Sequence, residues 1–138
     1  MTYEQETLWL AGWLEGEGSF MCRPNCNEVR ITVGSTDEDV VRRAAAICGN
    51  RRVYSDEARK KRLPHYQTLW RFEILGDDAI EVAKRILPFM GQRRKTKIEF
   101  LLVRAANRIS RSESGRRGGF AKAANRRKLE PTLIKQAV

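Results

Sequence analysis

The sequence predicts an α+β domain in which a four-stranded, mostly antiparallel sheet is backed by helices. Apolar residues recur at helical spacing in four segments, and apolar and polar residues alternate with a period of two in two pairs of strands. The resulting order is helix, strand, strand, helix, strand, strand, helix, helix, and strands joined as hairpins are antiparallel. One side of each hairpin is polar, so we expect one face of the sheet to be open.

The first helix is predicted over residues 4–16, where Trp9 and Trp13 lie four residues apart among other apolar side chains. Gly18 follows, and glycine commonly ends a helix because it adopts the left-handed backbone conformation without a steric penalty. We therefore expect the first helix to end at Gly18 in that conformation.

The first hairpin is predicted to join residues 19–23 to residues 28–34, with proline and asparagine supplying the turn. A second helix follows. Ser35 or Thr36 is expected to cap it, acidic residues occupy its first turn, and Gly49 stops it.

The second hairpin is predicted from Val53, through a charged loop, to a strand over residues 66–74 that alternates with a period of two. A third helix over residues 77–87 ends before Pro88, because proline restricts the backbone of the residue that precedes it. A fourth helix is predicted over residues 95–109.

The distribution of charge divides the chain. The 138 residues include 27 Lys and Arg and 17 Asp and Glu, for a net charge of +10. Residues 1–90 carry 13 basic and 14 acidic side chains, whereas residues 91–138 carry 14 basic and 3 acidic ones. Because residues 110–128 have almost no large apolar side chains, we predict a domain over residues 1–109 and a basic tail over residues 110–138. The excess charge favours a polyanionic partner, either nucleic acid or an acidic membrane surface.

The sequence has no run near 18 apolar residues, and its first ten residues are acidic, so we expect neither a membrane-spanning helix nor a secretory signal. We therefore expect an intracellular protein that is not secreted, in the cytoplasm of a bacterial or phage-infected host or in an organelle. Its three cysteines are expected to be reduced thiols, and the spacing of Cys22 and Cys26 argues against a zinc site.

The end of the first helix has unusual chemistry. Residues 10–20 (LAGWLEGEGSF) place Glu15 and Glu17 at a helix C-terminus, where carboxylates are disfavoured by roughly 0.3 to 1 kcal/mol each. Gly12 and Gly16 are four residues apart and would let a second helix approach closely. A divalent cation such as Mg²⁺ would relieve the repulsion between two such acidic ends. The alternative is a glycine-rich helix end with two solvated glutamates.

The same eleven residues resemble the signature of the LAGLIDADG homing endonucleases, with Glu15 and Glu17 where aspartate is more usual. The likeness continues over residues 5–106 in the family's αββαββα order. The resemblance implies a site-specific endonuclease that makes a double-strand break in DNA by metal-dependent phosphodiester hydrolysis, as in intron homing. It also implies Mg²⁺ as the cofactor, with Mn²⁺ as a substitute and Ca²⁺ supporting binding without cleavage.

The signature occurs once in the sequence, so the resemblance implies a homodimer on double-stranded DNA with a pseudo-palindromic target. In each protomer Glu17 and the backbone of Gly16 would bind the metal. The residues expected at the dimer interface are Leu8, Ala11, Gly12, Glu15 and Gly16.

Two positions depart from the family pattern. Ser35 stands where a glutamine often organises water, and Asp39 stands where a basic residue follows one helical turn later. A lysine late in the family's fold has its best match here in Arg93, with Arg94 and Lys95 beside it. Arginine stabilises a pentacoordinate phosphate but cannot act as a general base. We expect catalytic roles for Glu17, Arg93, Arg94 and Ser35; the alternative for the three basic residues is a solvated helix start.

The outward side chains of the two hairpins have the chemistry of base readout. Arginine pairs with guanine, glutamine and asparagine pair with adenine, and a two-stranded ribbon fits the major groove. The alternative is an ordinary solvated sheet face. The predicted DNA-binding residues are Met21, Arg23, Asn25, Glu28, Arg30, Thr32, Arg52, Tyr54, Gln67, Leu69, Arg71, Glu73 and Lys95, with Arg116 and Arg117 in the tail.

Two other classes of function stay open at the level of sequence. The first is a nucleic-acid-binding relative without catalysis, such as an intron RNA maturase or a transcription regulator, and the substitutions at Ser35 and Asp39 favour it. The second is a structural basic protein, which would explain the tail but not the acidic helix end.

The basic tail generates a prediction of its own. Residues 111–128 carry seven basic side chains and one acidic side chain. Truncation after Ile109 is expected to weaken specific and non-specific DNA binding together, and to reduce the slope of log affinity against log salt by about 0.9 for each phosphate that the tail neutralises. If residues 119–128 instead form a helix packed on the domain, truncation would lower the melting temperature and leave the slope unchanged. Binding at several salt concentrations and thermal unfolding separate the two.

Overall fold

The structure is a computed structural model that describes residues 1–107, so the predicted tail, with Arg116 and Arg117, lies outside the described residues. Four antiparallel strands form one sheet with helices packed on a single face. In chain order the elements are α1 (Tyr3–Glu17), β1 (Gly18–Cys22), β2 (Val29–Ser35), α2 (Glu38–Ile47), β3 (Tyr54–Ser55), α3 (Glu57–Arg62), β4 (Trp70–Leu75), α4 (Gly76–Ile86), a 3-10 turn (Leu87–Phe89) and α5 (Gln92–Ala105).

The strand order across the sheet is β1-β2-β4-β3, and each neighbouring pair is antiparallel. The predicted α+β class is therefore confirmed, as is the four-stranded sheet. β3 pairs with β4 at only two positions, Tyr54 with Arg71 and Ser55 with Trp70. The second hairpin is thus much shorter than the alternation of residues 66–74 predicts.

The core lies between the apolar face of the sheet and the helices. Phe20, Ile31, Val33, Phe72 and Ile74 are buried and alternate with polar residues that face the other way. The helical side contributes one buried stripe from each long helix: Leu10 and Leu14 from α1, Val41, Ala44 and Ala45 from α2, Ala79, Val82, Ala83 and Ile86 from α4, and Ile98 and Leu101 from α5.

Arg85 on α4 connects three helices by hydrogen bonds on the helical side of the sheet. Its Nε donates to Thr7 Oγ1 at 2.5 Å, and its terminal nitrogens donate to the carbonyls of Tyr3 at 3.2 Å and Ile47 at 3.4 Å. Its guanidinium also lies 3.8 Å from the centre of the Tyr3 ring. One cation therefore binds the first turn of α1 and the last turn of α2 to α4.

Gly18 does not adopt the left-handed conformation expected from the sequence. Its φ of −78° and ψ of 137° are extended, because α1 passes directly into β1 at this residue. Position 18 requires glycine because the neighbouring atoms leave no room for a side chain. A Cβ at position 18 would lie 2.7 Å from the carbonyl oxygen of Leu14 and 3.1 Å from the ring of Phe20.

The predicted cap of α2 is also wrong, since the N-cap is Asp37, whose side chain makes no capping hydrogen bond. The Ser35 hydroxyl instead accepts from the Asp37 backbone N–H at 3.3 Å. The predicted stop is confirmed, with Gly49 at a φ of 90°.

Two further boundaries differ from the predictions. α5 begins at Gln92 and ends at Ala105, and β4 begins at Trp70. The charged loop of the second hairpin contains α3, whose helical hydrogen bonds are supplemented by contacts that the local sequence does not reveal.

Among residues 1–107, no helix combines the length and the apolar character needed to span a membrane.

The close approach at Gly18 predicts a steep penalty for a single methyl group. Gly18→Ala is expected to lower the free energy of unfolding by about 1 to 3 kcal/mol, because the new Cβ collides with the Leu14 carbonyl. Gly34→Ala in β2 is the matched control. Its Cβ would make ordinary contacts from 3.4 Å outward, so it is expected to be neutral or to stabilise by up to about 1 kcal/mol. Denaturant unfolding measures both, and equal stabilities would contradict this role of Gly18.

Candidate nucleic-acid interface

The acidic helix end is exposed, as its sequence suggests. Glu17 is the last residue of α1, its side chain is exposed, and the last turn of α1 contains no basic residue. Within residues 1–107, its carboxylate has no hydrogen-bond or ion-pair partner. A carboxylate and the backbone carbonyls at a helix end are the kind of oxygen ligands that hard divalent cations prefer. The same part of the chain contains no group of three His, Cys, Asp or Glu side chains that could hold a metal ion.

Glu15 has a different environment although it is only two residues away. Its Oε2 accepts from the backbone N–H of Gly91 at 3.0 Å, and its carbonyl accepts from Arg94 Nε at 3.2 Å. The Arg94 guanidinium also lies 5.7 Å from the centre of the Phe20 ring. These contacts join the last turn of α1 to the first turn of α5. Glu15 and Arg94 therefore hold the helix end in place within one chain.

The other predicted catalytic residues lie around this junction. Arg93 is exposed and Lys95 is half-buried, and both flank Arg94 in the first turn of α5. Ser35 ends β2, where its hydroxyl is occupied by the Asp37 amide, and Asp39 is exposed on α2. The fold thus brings the first turn of α5 to the end of α1.

A stripe of small residues on α1 faces away from the core. No heavy atom lies within 4 Å of a Cβ built at Gly12 or at Gly16, and Leu8 on the same stripe is 48% exposed. Ala11 must be removed from the predicted interface, because it is 1% exposed and packs in the core of its own chain. The stripe Leu8, Gly12 and Gly16 is therefore open to a second helix.

The polar face of the sheet arranges its side chains in rows that run across the strands. The pairing of β1 with β2 begins at Gly18, so α1 ends beside the C-terminal end of β2 and the N-terminal end of β4. Counted from that end of the strands, the rows are Gly34, Arg71 and Tyr54, then Ser19, Thr32 and Glu73, then Met21, Arg30 and Leu75.

Three of the four arginines predicted on this face are paired with carboxylates of the same chain. Arg23 lies 3.3 Å from Glu28, Arg71 lies 2.9 Å from Asp56, and Arg30 pairs with Glu73. Arg52 is exposed and lies just before β3. The Nε of Arg30 is buried without a partner among the described residues. The face is consequently polar and close to neutral.

Asp56 is a functional candidate that the sequence interpretation missed. It is the N-cap of α3, and the backbone N–H of Arg59 donates to its Oδ1 at 2.9 Å. This hydrogen bond, followed by the Arg71 guanidinium, lowers the pKa of the Asp56 carboxyl from its ordinary value. Asp56 precedes a segment interpreted as a loop, and the sequence offers no signal for its pairing with Arg71, 15 residues later.

Several predicted contact residues lie off the strands. Gln67 and Leu69 precede β4, and the carbonyl of Gln67 accepts from Arg59 at 3.1 Å. Asn25 and its neighbours Arg23 and Glu28 belong to the turn between β1 and β2. Ser19 was not among the predicted DNA-binding residues, although it precedes Met21 by two residues in β1 and therefore lies on the same face of the sheet.

Cys22 and Cys26 lie at the β1–β2 turn, close enough to interact electrostatically, and Cys48 is the C-cap of α2. Cys48 is buried at the end of α2, and burial raises the pKa of its thiol to about 11, so the thiol is protonated at neutral pH. Burial also raises the pKa of Cys22.

Comparison with known proteins gives matches among solved structures. No family model and no curated protein matches the sequence. A crystal structure of the homing endonuclease I-CvuI in complex with its target in the presence of 2 mM Ca matches with a TM-score of 0.54 and 16% identity over 72% of this chain. A second structure of I-CvuI, in complex with the I-CreI target in the presence of 2 mM Mg and with the DNA not cleaved, matches with a TM-score of 0.51, again at 16% identity over 72% of this chain.

Both matches cover 65% of the neighbouring chain, so this chain spans less than two thirds of its length. At this identity the match concerns the fold. The resemblance found in the sequence is confirmed at that level, since the domain has the LAGLIDADG homing endonuclease fold.

Proposed function

We propose, from the LAGLIDADG homing endonuclease fold of this domain, that the protein is a site-specific DNA endonuclease that acts as a homodimer with Mg²⁺. The observation that carries the proposal is Glu17, a carboxylate without a partner among residues 1–107, at the end of a helix whose glycine stripe is open. In a two-fold dimer packed through that stripe, two such ends would meet. Each helix end supplies only part of a metal site, and the two ends together would form one acidic site between the protomers.

Glu17 and the carbonyl of Gly16 are the groups that would hold the metal. Bound there, Mg²⁺ supplies stabilisation of the attacking and leaving oxygens of the phosphodiester. The chain itself holds the acidic end through Glu15 and the Gly91 N–H, and it directs positive charge from α5 toward the same place. Arg93 and Lys95 would stabilise the charge of the phosphate, while Arg94 is engaged with the Glu15 carbonyl.

The sheet would read the target from the centre outward. Successive outward rows are two residues apart along a strand, about 6.8 Å, which corresponds to about two base-pair steps of 3.4 Å. The row containing Arg71 and Tyr54 would therefore read the base pairs nearest the scissile phosphates, and the row containing Arg30 would read pairs further out. Arg30 and Arg71 would recognise guanine after exchanging or sharing their carboxylate partners.

The point of attachment of the tail supports a flanking contact. At the end of the described chain, the Asn107 carbonyl accepts from Asn27 Nδ2 at 3.3 Å, and Arg104 donates to Asn27 Oδ1 at 3.0 Å. Asn27 belongs to the β1–β2 turn. This turn lies at the end of the strands opposite Glu17, beside the polar face of the sheet, which is the proposed reading face. The chain continues into its basic segment from this point.

A nucleic-acid-binding relative without catalysis is the second candidate. The observation that favours it is Ser35, whose hydroxyl accepts from the Asp37 amide at 3.3 Å, at the position where the family often has a glutamine. Incubation of the purified protein with the DNA that flanks its own gene, with and without Mg²⁺, separates the candidates. Metal-dependent cleavage supports the endonuclease, whereas binding without cleavage supports the second candidate.

Replacement of Glu17 is expected to separate cleavage from binding. Glu17→Gln removes the negative charge that would hold the cation, so cleavage in Mg²⁺ should be abolished. Binding in Ca²⁺ or without metal should stay equal or improve, because the carboxylate otherwise repels phosphate. Glu4→Gln, an exposed glutamate at the other end of α1, is the control and should cleave normally. Cleavage by Glu17→Gln at near the original rate would disprove the assignment.

Association is expected to depend on the size of residue 12. Gly12→Leu should produce a folded monomer, because the new side chain meets no atom of its own chain within 4 Å of its Cβ but would separate two facing helices. Gly12→Ala retains a small residue and should remain dimeric. Light scattering measures the mass of each variant, free and on DNA. An unperturbed dimer of Gly12→Leu would exclude this interface.

A further inference from the structure

The short helix α3 is the part of the domain that the proposed active site leaves unused. It carries four consecutive basic residues, Arg59, Lys60, Lys61 and Arg62, and one acidic residue, Glu57. It occupies the connection between β3 and β4. The sequence alone predicts only a charged loop there.

Two of the four basic residues fold the segment. Arg59 donates to the Gln67 carbonyl at 3.1 Å and lies 5.6 Å from the centre of the Tyr66 ring. Lys60 Nζ donates to the Tyr66 carbonyl at 2.8 Å. These contacts tie α3 to the returning chain, so the helix has a defined position relative to β4.

The other two basic residues are free for a ligand. Lys61 and Arg62 are exposed, and neither forms an ion pair with a residue of the described domain. The charge of Arg62 acts on the Asp56 carboxyl and helps to lower its pKa, but neither side chain forms a hydrogen bond or an ion pair within the described domain, in contrast to the hydrogen-bonded Arg59 and Lys60.

The position of α3 relates these charges to the polar face. Asp56, the N-cap of α3, pairs with Arg71, whose side chain lies on the polar face because its neighbour Phe72 is buried on the other. Trp70 pairs with Ser35 and with Ser55, so α3 begins at the same end of the sheet as Glu17.

The reading face does not supply the charge that a polyanion demands. Of the four arginines predicted on it, those at positions 23, 30 and 71 are each paired with a carboxylate of the same chain, which leaves Arg52. Much of the affinity of proteins for duplex DNA comes from cations that neutralise phosphates and release counterions. Within residues 1–107, Arg52 and unpaired cations outside this face would have to provide this contribution.

We infer that α3 is a phosphate-binding element, in which Lys61 and Arg62 contact the backbone of duplex DNA beside the end of the sheet that is next to Glu17. The inference rests on the proposed DNA-binding function and extends it. Phosphate contacts position a protein without reading sequence, so α3 would fix the distance between the duplex and the row that contains Arg71. Asp56 links the two, since it caps α3 and pairs with Arg71.

The test measures binding to a duplex of random sequence between about 50 and 200 mM salt. Lys61→Gln and Arg62→Gln should each reduce the slope of log affinity against log salt by about 0.9, and the double variant by about 1.8. Lys84→Gln removes the same charge from the exposed side of α4, on the helical face, and should keep the original slope. Thermal unfolding of all variants should be unchanged, because these side chains are exposed.

An original slope in the double variant would overturn the inference and leave the proposed function intact. Loss of affinity for only some sequences would also overturn it, because it would identify a base contact. If the unaltered protein fails to bind duplex DNA at the lowest salt, the proposed function itself is wrong, and the inference about α3 is overturned with it. A reduced slope with equal losses on unrelated sequences is the result that supports the inference.

Discussion

The architecture depends on the passage of α1 into β1 without an intervening loop. The Gly18 N–H still donates to the Leu14 carbonyl as the last bond of the helix, while the same residue begins the sheet by pairing with Val33. There is no room for a side chain at this junction. Glu17 is therefore held at a fixed place relative to both the open stripe of α1 and the polar face of the sheet. Catalysis and readout, as proposed, share one rigid junction.

The second constraint is electrostatic. In the proposed complex, a face whose arginines are already paired internally would attract phosphate weakly, and an arginine would have to exchange or share its carboxylate before it could bind a base. This arrangement favours selectivity over affinity, since an incorrect base offers no compensation for the broken ion pair. Affinity would then come from elsewhere. Exposed basic residues lie in α3 and at the start of α5, and the sequence beyond Asn107 is strongly basic.

The sequence predicted those features that depend on periodicity. Alternation in β2 and β4 predicted that one side of each strand is polar, and Ile31, Phe72 and Ile74 on the opposite side are buried; the signature located the exposed Glu17. Other features depend on tertiary contacts that a linear pattern does not contain. The role of Gly18 arises from the carbonyl of Leu14, α3 depends on carbonyls of the returning chain, and the pairing of Arg71 with Asp56 bridges 15 residues. Ala11 was assigned to the wrong face because both sides of α1 are rich in small and apolar residues.

The proposed endonuclease is tested most directly by cleavage of a randomised library of duplex DNA with Mg²⁺, followed by sequencing of both ends of the products. A homodimer that joins two Glu17 sites across a two-fold axis predicts cleaved sequences with approximate palindromic symmetry, cut on both strands at positions related by that axis. The absence of cleavage by folded, dimeric protein would contradict it. Cuts scattered without symmetry or sequence preference would contradict it equally.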